Sequence, residues 1–331
     1  MLFRSNILEE AGVEMRVWPG EEDEGPSQDE VIEGARWADV LLSLLTEPVN
    51  RAVMEVNPSL LGIAQFAVGY DNIDVGVATE LGIPVSNTPG VLTDTTADLT
   101  WALLLSVSRN IVTGDEYMRG GNYKLWGPNL LLGEDTSPGG DGRNKILGVV
   151  GFGRIGQAVT RRAMGFDMRV LAYDPYAREA IESDGQAEWA DLDVLLAKSD
   201  FVSIHTLLSK ETRHLISTAE FEKMKPTAYI LNAARGPIID EAALVVALNE
   251  GQIAGAGLDV YEQEPEMVQG LAGCKNAVLL PHLGSASRGT RDKMATMAAT
   301  NAIAMLQGDR APNCVNADVY DSTAYAKRSG H

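Results

Sequence analysis

The chain has 331 residues, 45% of them hydrophobic, with 33 glycines and a formal net charge of −19. That length exceeds one ordinary core and points to two domains of a soluble α/β protein. The charge argues against nucleic acid as a partner and leaves any anionic substrate to be held by a local cation. No run of about eighteen apolar residues and no basic-then-apolar leader is present, so neither membrane insertion nor export is expected. The only cysteines, Cys274 and Cys314, lack CxxC spacing, which points to a reducing, cytoplasmic setting without a disulfide framework or a metal site.

In chain order, residues 6–12 read as a helix ending at glycine, and residues 13–18 as a strand. A doubly wound domain ordinarily starts with a strand before such a helix. Either that first strand is missing, or Met1–Ser5 is the remnant of a truncated reading frame. An acidic loop over 19–28 precedes a short amphipathic helix over 29–38 and a buried strand over 40–45. Strands over 63–67 and 85–86 flank a helix over 77–81, which completes a first parallel α/β domain. Residues 93–109 form a long helix, apolar along Leu99, Leu103, Leu104 and Val107, that is expected to cross between domains. Residues 120–142, broken by Gly127-Pro128 and Pro138-Gly139-Gly140, read as a functional loop or an oligomer arm.

Residues 145–150 are a buried strand that runs straight into Gly151-Phe152-Gly153-Arg154-Ile155-Gly156, followed by a helix over 157–163 and a second strand over 168–173 that closes on Asp174. Each glycine has a physical reason. Gly151 permits the tight strand-to-helix turn, Gly153 lets backbone N–H groups approach a pyrophosphate, and Gly156 lets helix and strand pack closely. The helix N-terminus supplies the positive dipole end. Asp174, eighteen residues beyond Gly156, can accept hydrogen bonds from a ribose and repel a 2′-phosphate. NAD(H) is therefore expected ahead of NADP(H), with Arg178, four residues further on, as the feature that could admit the phosphate.

Alternating helices and strands continue to a last strand over 278–280 and a closing helix over 288–307, which is expected to return to the first domain. Residues 318–331 look like an unstructured tail. Ligands bind beyond the carboxyl ends of parallel strands, and three such ends carry Arg235, Glu264 and His282. Arginine can grip a carboxylate in bidentate fashion. Histidine can give a proton to a carbonyl oxygen as hydride arrives. A glutamate bonded to that imidazole favours its protonated form and fixes its orientation.

The glycine loop, Asn232-Ala233-Ala234-Arg235-Gly236, Leu258-Asp259-Val260-Tyr261-Glu262-Gln263-Glu264-Pro265 and Pro281-His282-Leu283-Gly284-Ser285-Ala286 together resemble the D-isomer-specific 2-hydroxyacid dehydrogenase family, over about residues 7–316. Ala67-Val68-Gly69-Tyr70-Asp71-Asn72-Ile73-Asp74 and Asn87-Thr88-Pro89-Gly90-Val91-Leu92-Thr93 most resemble its glyoxylate/hydroxypyruvate reductase branch. The resemblance implies an α/β chain of two doubly wound parallel-sheet domains. A flavodoxin-like substrate domain would span residues 1–97 plus 289–316 and a Rossmann NAD-binding domain 98–288, with 317–331 as a disordered tail.

It further implies Arg235, Glu264 and His282 as the catalytic set, the backbone amides of Val68 and Gly69 as holders of the substrate carboxylate, and Thr96 and Asp259 near the nicotinamide half of the cofactor. Cofactor contacts are implied as well at Phe152, Arg154 and Ile155, at Pro175 and Tyr176, and at His205, Ala233, Ala234, Leu283 and Gly284. The family is commonly a homodimer joined through the segment after the long helix, which would let Trp126 reach the partner's pocket. Leu207 departs from the family, which usually has proline there, so the adenine side of the pocket is expected to differ. The expected activity is reduction of glyoxylate or hydroxypyruvate. The alternatives are glycerate, phosphoglycerate, lactate or formate chemistry on the same frame, Glu264 weighing against formate, and a dinucleotide-sensing corepressor or scaffold.

Overall fold

The computed structural model describes residues 5–20, 24–137 and 144–329. The chain divides into two compact units, Met1–Leu92 with Ala286–His331, and Thr93–Ser285. The expected boundaries at 97/98 and 288/289 thus move to 92/93 and 285/286. No helix among the described residues is long and apolar enough to cross a membrane.

The first unit holds a three-stranded parallel sheet of β1 (Val40–Ser43), β2 (Gly62–Gln65) and β3 (Val85–Ser86), in that order. Its helices start where polar side chains satisfy the first free amides. Ser27 and Glu30 form a capping box on Gln28–Trp37, Asn50 caps Arg51–Glu55 and Asp74 caps Val75–Glu80. Val31, Val53, Met54, Ile63, Ile73 and Val85 bury their side chains together as the core. The closing helix Arg288–Leu306 belongs to this unit and packs Met294, Ala295 and Ala298 against Phe66. A Cβ on Gly62 would stand 2.3 Å from the Met305 sulfur, so that glycine makes room for the helix.

Two expectations fail in this unit. Residues 13–18 form no strand: β1 pairs only with β2 and leaves its other edge unpaired among the described residues, but none of residues 13–18 buries its side chain; Arg16 lies 4.0 Å over the Trp37 ring and Val17 stays exposed. As far as Ser329 the supposed tail is ordered, with a 3₁₀ turn at Ala317–Asp321 and a helix at Thr323–Ser329. Val319 is fully buried, Tyr320 meets Tyr325 edge-on, and Arg328 donates to the carbonyls of Leu81, Leu60 and Asn57. These few anchors outweigh a polar composition. The expected remnant at Met1–Ser5 lies outside the described residues except for Ser5, which opens the helix Ser5–Glu10.

The second unit is a seven-stranded parallel sheet in the order β10-β9-β8-β7-β4-β5-β6. Its strands are β4 (Ile146–Val150), β5 (Arg169–Tyr173), β6 (Glu188–Trp189), β7 (Phe201–Ile204), β8 (Tyr229–Asn232), β9 (Gly255–Leu258) and β10 (Ala277–Leu279). Helices cover both faces, and β7, β9 and nearly all of β4 and β8 are buried, which explains their unbroken apolar runs. The helix Thr93–Ser108 does not cross between units. It lies wholly in this one, with Trp101, Leu103 and Leu104 in its core. The chain reverses direction along the sheet between β4 and β7, and the turns leaving these two strands open the crevice where such sheets bind ligands.

Candidate active site

At the end of β4 the backbone of Gly151 has φ +94, and a Cβ there would lie 2.5 Å from the Thr206 amide nitrogen. A Cβ on Gly156 would fall 2.1 Å from the Gly151 carbonyl oxygen, whereas one on Gly153 would meet nothing within 4 Å. Two glycines are thus required by packing and the third faces open space. The helix Arg154–Ala163 begins at Gly153 with no side-chain cap, so the N–H groups of its first turn, at Arg154, Ile155 and Gly156, are available to an anion. Phe152 turns its ring into the core while its N–H donates to Asp174 Oδ2 at 2.9 Å. Asp174 Oδ1 accepts from the Tyr176 amide at 3.0 Å. The carboxylate therefore ties the glycine loop to the end of β5, next to Pro175 and an almost fully exposed Tyr176.

Arg178 is engaged on the far side of that turn. It bonds Glu182 at 2.9 Å and lies 4.1 Å over the Trp189 ring. His205, just past β7, shares a 2.7 Å hydrogen bond between Nε2 and Ser203 Oγ, while its buried Nδ1 has no partner among the described residues. Burial pushes its pKa down to about 3, so the ring is neutral. Leu207 is exposed, and its carbonyl accepts from Thr212 Oγ1 at 2.6 Å. The open Gly153, the uncapped helix start, the Asp174 carboxylate and the orphaned Nδ1 all fit a dinucleotide.

On the other half of the sheet, β8 ends at Asn232, whose side chain pins the following turn: Nδ2 donates to the Arg235 carbonyl at 2.9 Å and Oδ1 accepts from the Ala234 amide at 3.0 Å. Ala233, Ala234 and Arg235 are each half-buried, and Arg235 Nη1 donates to the Ala234 carbonyl. Past β9, Glu264 Oε1 accepts from the Tyr261 amide at 3.0 Å, and Oε2 stands 2.8 Å from His282 Nδ1. Burial would raise the Glu264 pKa, but the bond and charge of His282, the Tyr261 amide and the charge of Arg235 outweigh it and hold the carboxyl below its ordinary range. With Nδ1 bound to Glu264, the imidazole presents Nε2.

Asp259 and Thr96 support that histidine. His282 lies in the left-handed region at φ +54, a conformation few non-glycine residues adopt. Its amide donates to the Asp259 carbonyl at 2.9 Å, and the two Asp259 carboxylate oxygens take the amides of Leu283 at 2.6 Å and Gly284 at 2.7 Å. Thr96 Oγ1 donates to the Gly284 carbonyl at 3.0 Å. Burial raises the Asp259 pKa, against the lowering by these amides and by His282. Both side chains expected beside the nicotinamide are therefore bonded to the histidine's own turn. Asn232 and Tyr261, whose hydroxyl donates to the Leu280 carbonyl, were not singled out by sequence reasoning. Only their places next to Ala233 and three residues before Glu264 could have marked them.

In the first unit, the carbonyls of Val68 and Gly69 accept from Asn87 Nδ2 at 2.8 Å and Gln65 Nε2 at 3.2 Å. Their N–H groups donate to nothing among the described residues. Trp126, in the second unit, is 70% exposed beside Leu125 at 83%.

A parallel sheet with this switch point, an open glycine loop and an acid closing its second strand defines a dinucleotide-binding protein of the α/β class. Residues 101–284 match the family model of the D-isomer specific 2-hydroxyacid dehydrogenase, NAD binding domain. A glyoxylate reductase of Korarchaeum cryptofilum is 48% identical over 308 residues, covering 92% of this chain and 90% of the relative. The crystal structure of a Thermus thermophilus protein superposes with a TM-score of 0.84 at 41% identity, covering 94% of this chain and 95% of the other. That of a glyoxylate reductase from Paecilomyes thermophila gives 0.80 at 31%, covering 95% of each. The chain belongs to the D-isomer specific 2-hydroxyacid dehydrogenase family.

Proposed function

We propose that this enzyme reduces glyoxylate to glycolate, and by the same chemistry hydroxypyruvate to the D-2-hydroxy acid, with NADH preferred as the donor. The bound reduced nicotinamide supplies the hydride. His282, as the imidazolium, gives the proton from Nε2 to the carbonyl oxygen, and Glu264, ionised and 2.8 Å from Nδ1, accepts the Nδ1–H and fixes the orientation of the ring. Arg235 grips the carboxylate or the neighbouring carbonyl oxygen and stabilises the alkoxide that develops there. The uncommitted amides of Val68 and Gly69 are donors of the kind a carboxylate takes. The observation that carries the reading is the Glu264–His282 pair, held on a turn that Asp259 clamps at three points. The names borne by the relatives support the choice of 2-oxo acid.

NADH is preferred because Asp174 sits where a 2′-phosphate would be repelled and Arg178 is engaged by Glu182 and Trp189. NADPH remains a slower donor. The enzyme acts as a homodimer, a reading supported by the exposed apolar side chains of Ile111, Met118, Leu125, Trp126 and Leu132 along one segment after the long helix, which a partner would cover. Trp126 is then the side chain offered to the partner's pocket. Two free thiols suit a cytoplasmic setting.

The test is a panel of glyoxylate, hydroxypyruvate, pyruvate and phosphohydroxypyruvate with each reduced nicotinamide. The proposal expects the highest kcat/KM with NADH and one of the first two. Background rates throughout would overturn the activity, and faster turnover with NADPH would overturn the cofactor preference.

A further inference from the structure

The turns that carry Arg235 and Glu264 are joined by carboxylates outside the path of proton and hydride. The Glu241 amide donates to Glu262 Oε1 at 3.0 Å, and the Glu262 amide donates to Glu241 Oε1 at 2.8 Å, so the two residues bracket each other. Glu241 Oε2 accepts from the Val268 amide at 3.3 Å. Glu262 Oε2 lies 2.8 Å from His214 Nε2 and 3.4 Å from an Arg213 guanidinium nitrogen. His214 is held in the left-handed region at φ +51, and its amide donates to the Pro237 carbonyl at 2.8 Å. A Cβ on Gly236 would lie 1.8 Å from the Tyr261 carbonyl carbon, so the two turns touch backbone to backbone.

The segments that follow β7, β8 and β9 therefore meet at one carboxylate. Arg235 stands directly before Gly236, and Glu264 two residues beyond Glu262. Placing two glutamates side by side in a partly buried bracket is unfavourable unless cations and amides compensate, and the imidazole, guanidinium and three amides do so here. Burial, with the charges of Glu262 and Glu264 adding to it, raises the Glu241 pKa. Such an arrangement is costly to keep where a plain hydrophobic contact would hold two turns together.

We propose that Glu262, gripped by His214 from the loop after β7 and by Glu241 from the helix after β8, is a positioning residue that sets the separation of Arg235 from Glu264 and thereby the seating of the 2-oxo acid. This rests on the activity proposed above. None of the bracket's hydrogen bonds reaches the glycine loop or Asp174, so substrate and cofactor parameters should separate.

The test uses the full-length enzyme with His214→Ala, His214→Gln and Arg213→Gln. It reads KM and kcat for glyoxylate at saturating NADH, the NADH Kd from fluorescence, and Tm. Misplacement by a fraction of an ångström should raise KM and lower kcat by about 10-fold each in His214→Ala. The NADH Kd should stay within about twofold, since the glycine loop keeps its contacts. His214→Gln, which restores an N–H donor, should recover most of the loss. Equal losses in the Ala and Gln variants, unchanged glyoxylate parameters, or a matching loss of NADH affinity would each overturn the proposal. If His214→Ala does not fold, Arg213→Gln decides: a raised glyoxylate KM at unchanged Tm supports the proposal and an unchanged KM overturns it. A wild type inactive on every 2-oxo acid removes the activity and this inference together, whereas normal wild-type turnover beside an unaffected variant removes the inference alone.

Discussion

Replacing Glu264 with glutamine keeps the size of the side chain and an oxygen for the Tyr261 amide but removes the charge that faces His282 at 2.8 Å. A hydrogen bond to a charged group contributes about 1.5–3 kcal/mol and a neutral one about 0.5–1.5. The change is thus worth about 1–2 kcal/mol, trimmed somewhat by solvent because the two side chains are 30% and 29% exposed. At about 1.4 kcal/mol per decade, reduction should slow by about 5–30-fold. NADH oxidation on addition of glyoxylate measures the effect. A variant with the wild-type rate would refute the pairing.

The same carboxyl makes a stability prediction. Its pKa is depressed in the folded state, so its contribution is complete above the ordinary carboxylate range and is lost as pH falls through the depressed value. The Tm gap between wild type and Glu264→Gln should therefore be widest near neutrality and close in acid. Arg235→Lys should raise the glyoxylate KM by about 10-fold or more, since an ammonium cannot reproduce the guanidinium's paired donors; an unchanged KM would remove Arg235 from the carboxylate. Asp174→Asn should shift the NADPH-to-NADH preference by about 10-fold toward NADPH while weakening NADH binding, because the amide also loosens the bond to Phe152. A fixed ratio counts against the cofactor assignment. Asp259→Asn leaves only one strong acceptor for the amides of Leu283 and Gly284, so kcat should fall by about 10-fold as the His282 turn relaxes. A normal kcat would show that the clamp is dispensable.

The glycine loop and Asp174 were legible because their chemistry leaves a linear mark: each glycine answers a steric demand within one βαβ unit. Arg235, Glu264 and His282 were legible from their places directly after apolar strands. The clamp was not, since apolar periodicity reports burial and says nothing of a histidine at positive φ. Glu241 and Glu262 read as acids on a helix start and in a loop, where solvent is the ordinary partner, and only the fold turns them toward each other. Residues 13–18 alternate like a strand but bury none of their side chains. The final helix escaped notice because its hold depends on Val319, two tyrosines and Arg328 rather than on an apolar stripe. The two-residue β6 and the break at Asn110, which ends the long helix with a left-handed residue, lie below what pattern can resolve.

The most direct measurement is a single turnover of enzyme-bound NADH on addition of glyoxylate, comparing wild type with His282→Ala. The account predicts stoichiometric NADH oxidation by wild type and a rate slower by about 10²-fold or more in the variant, with NADH bound equally well by both, as removal of a general acid requires. Equal rates in the two proteins would contradict it.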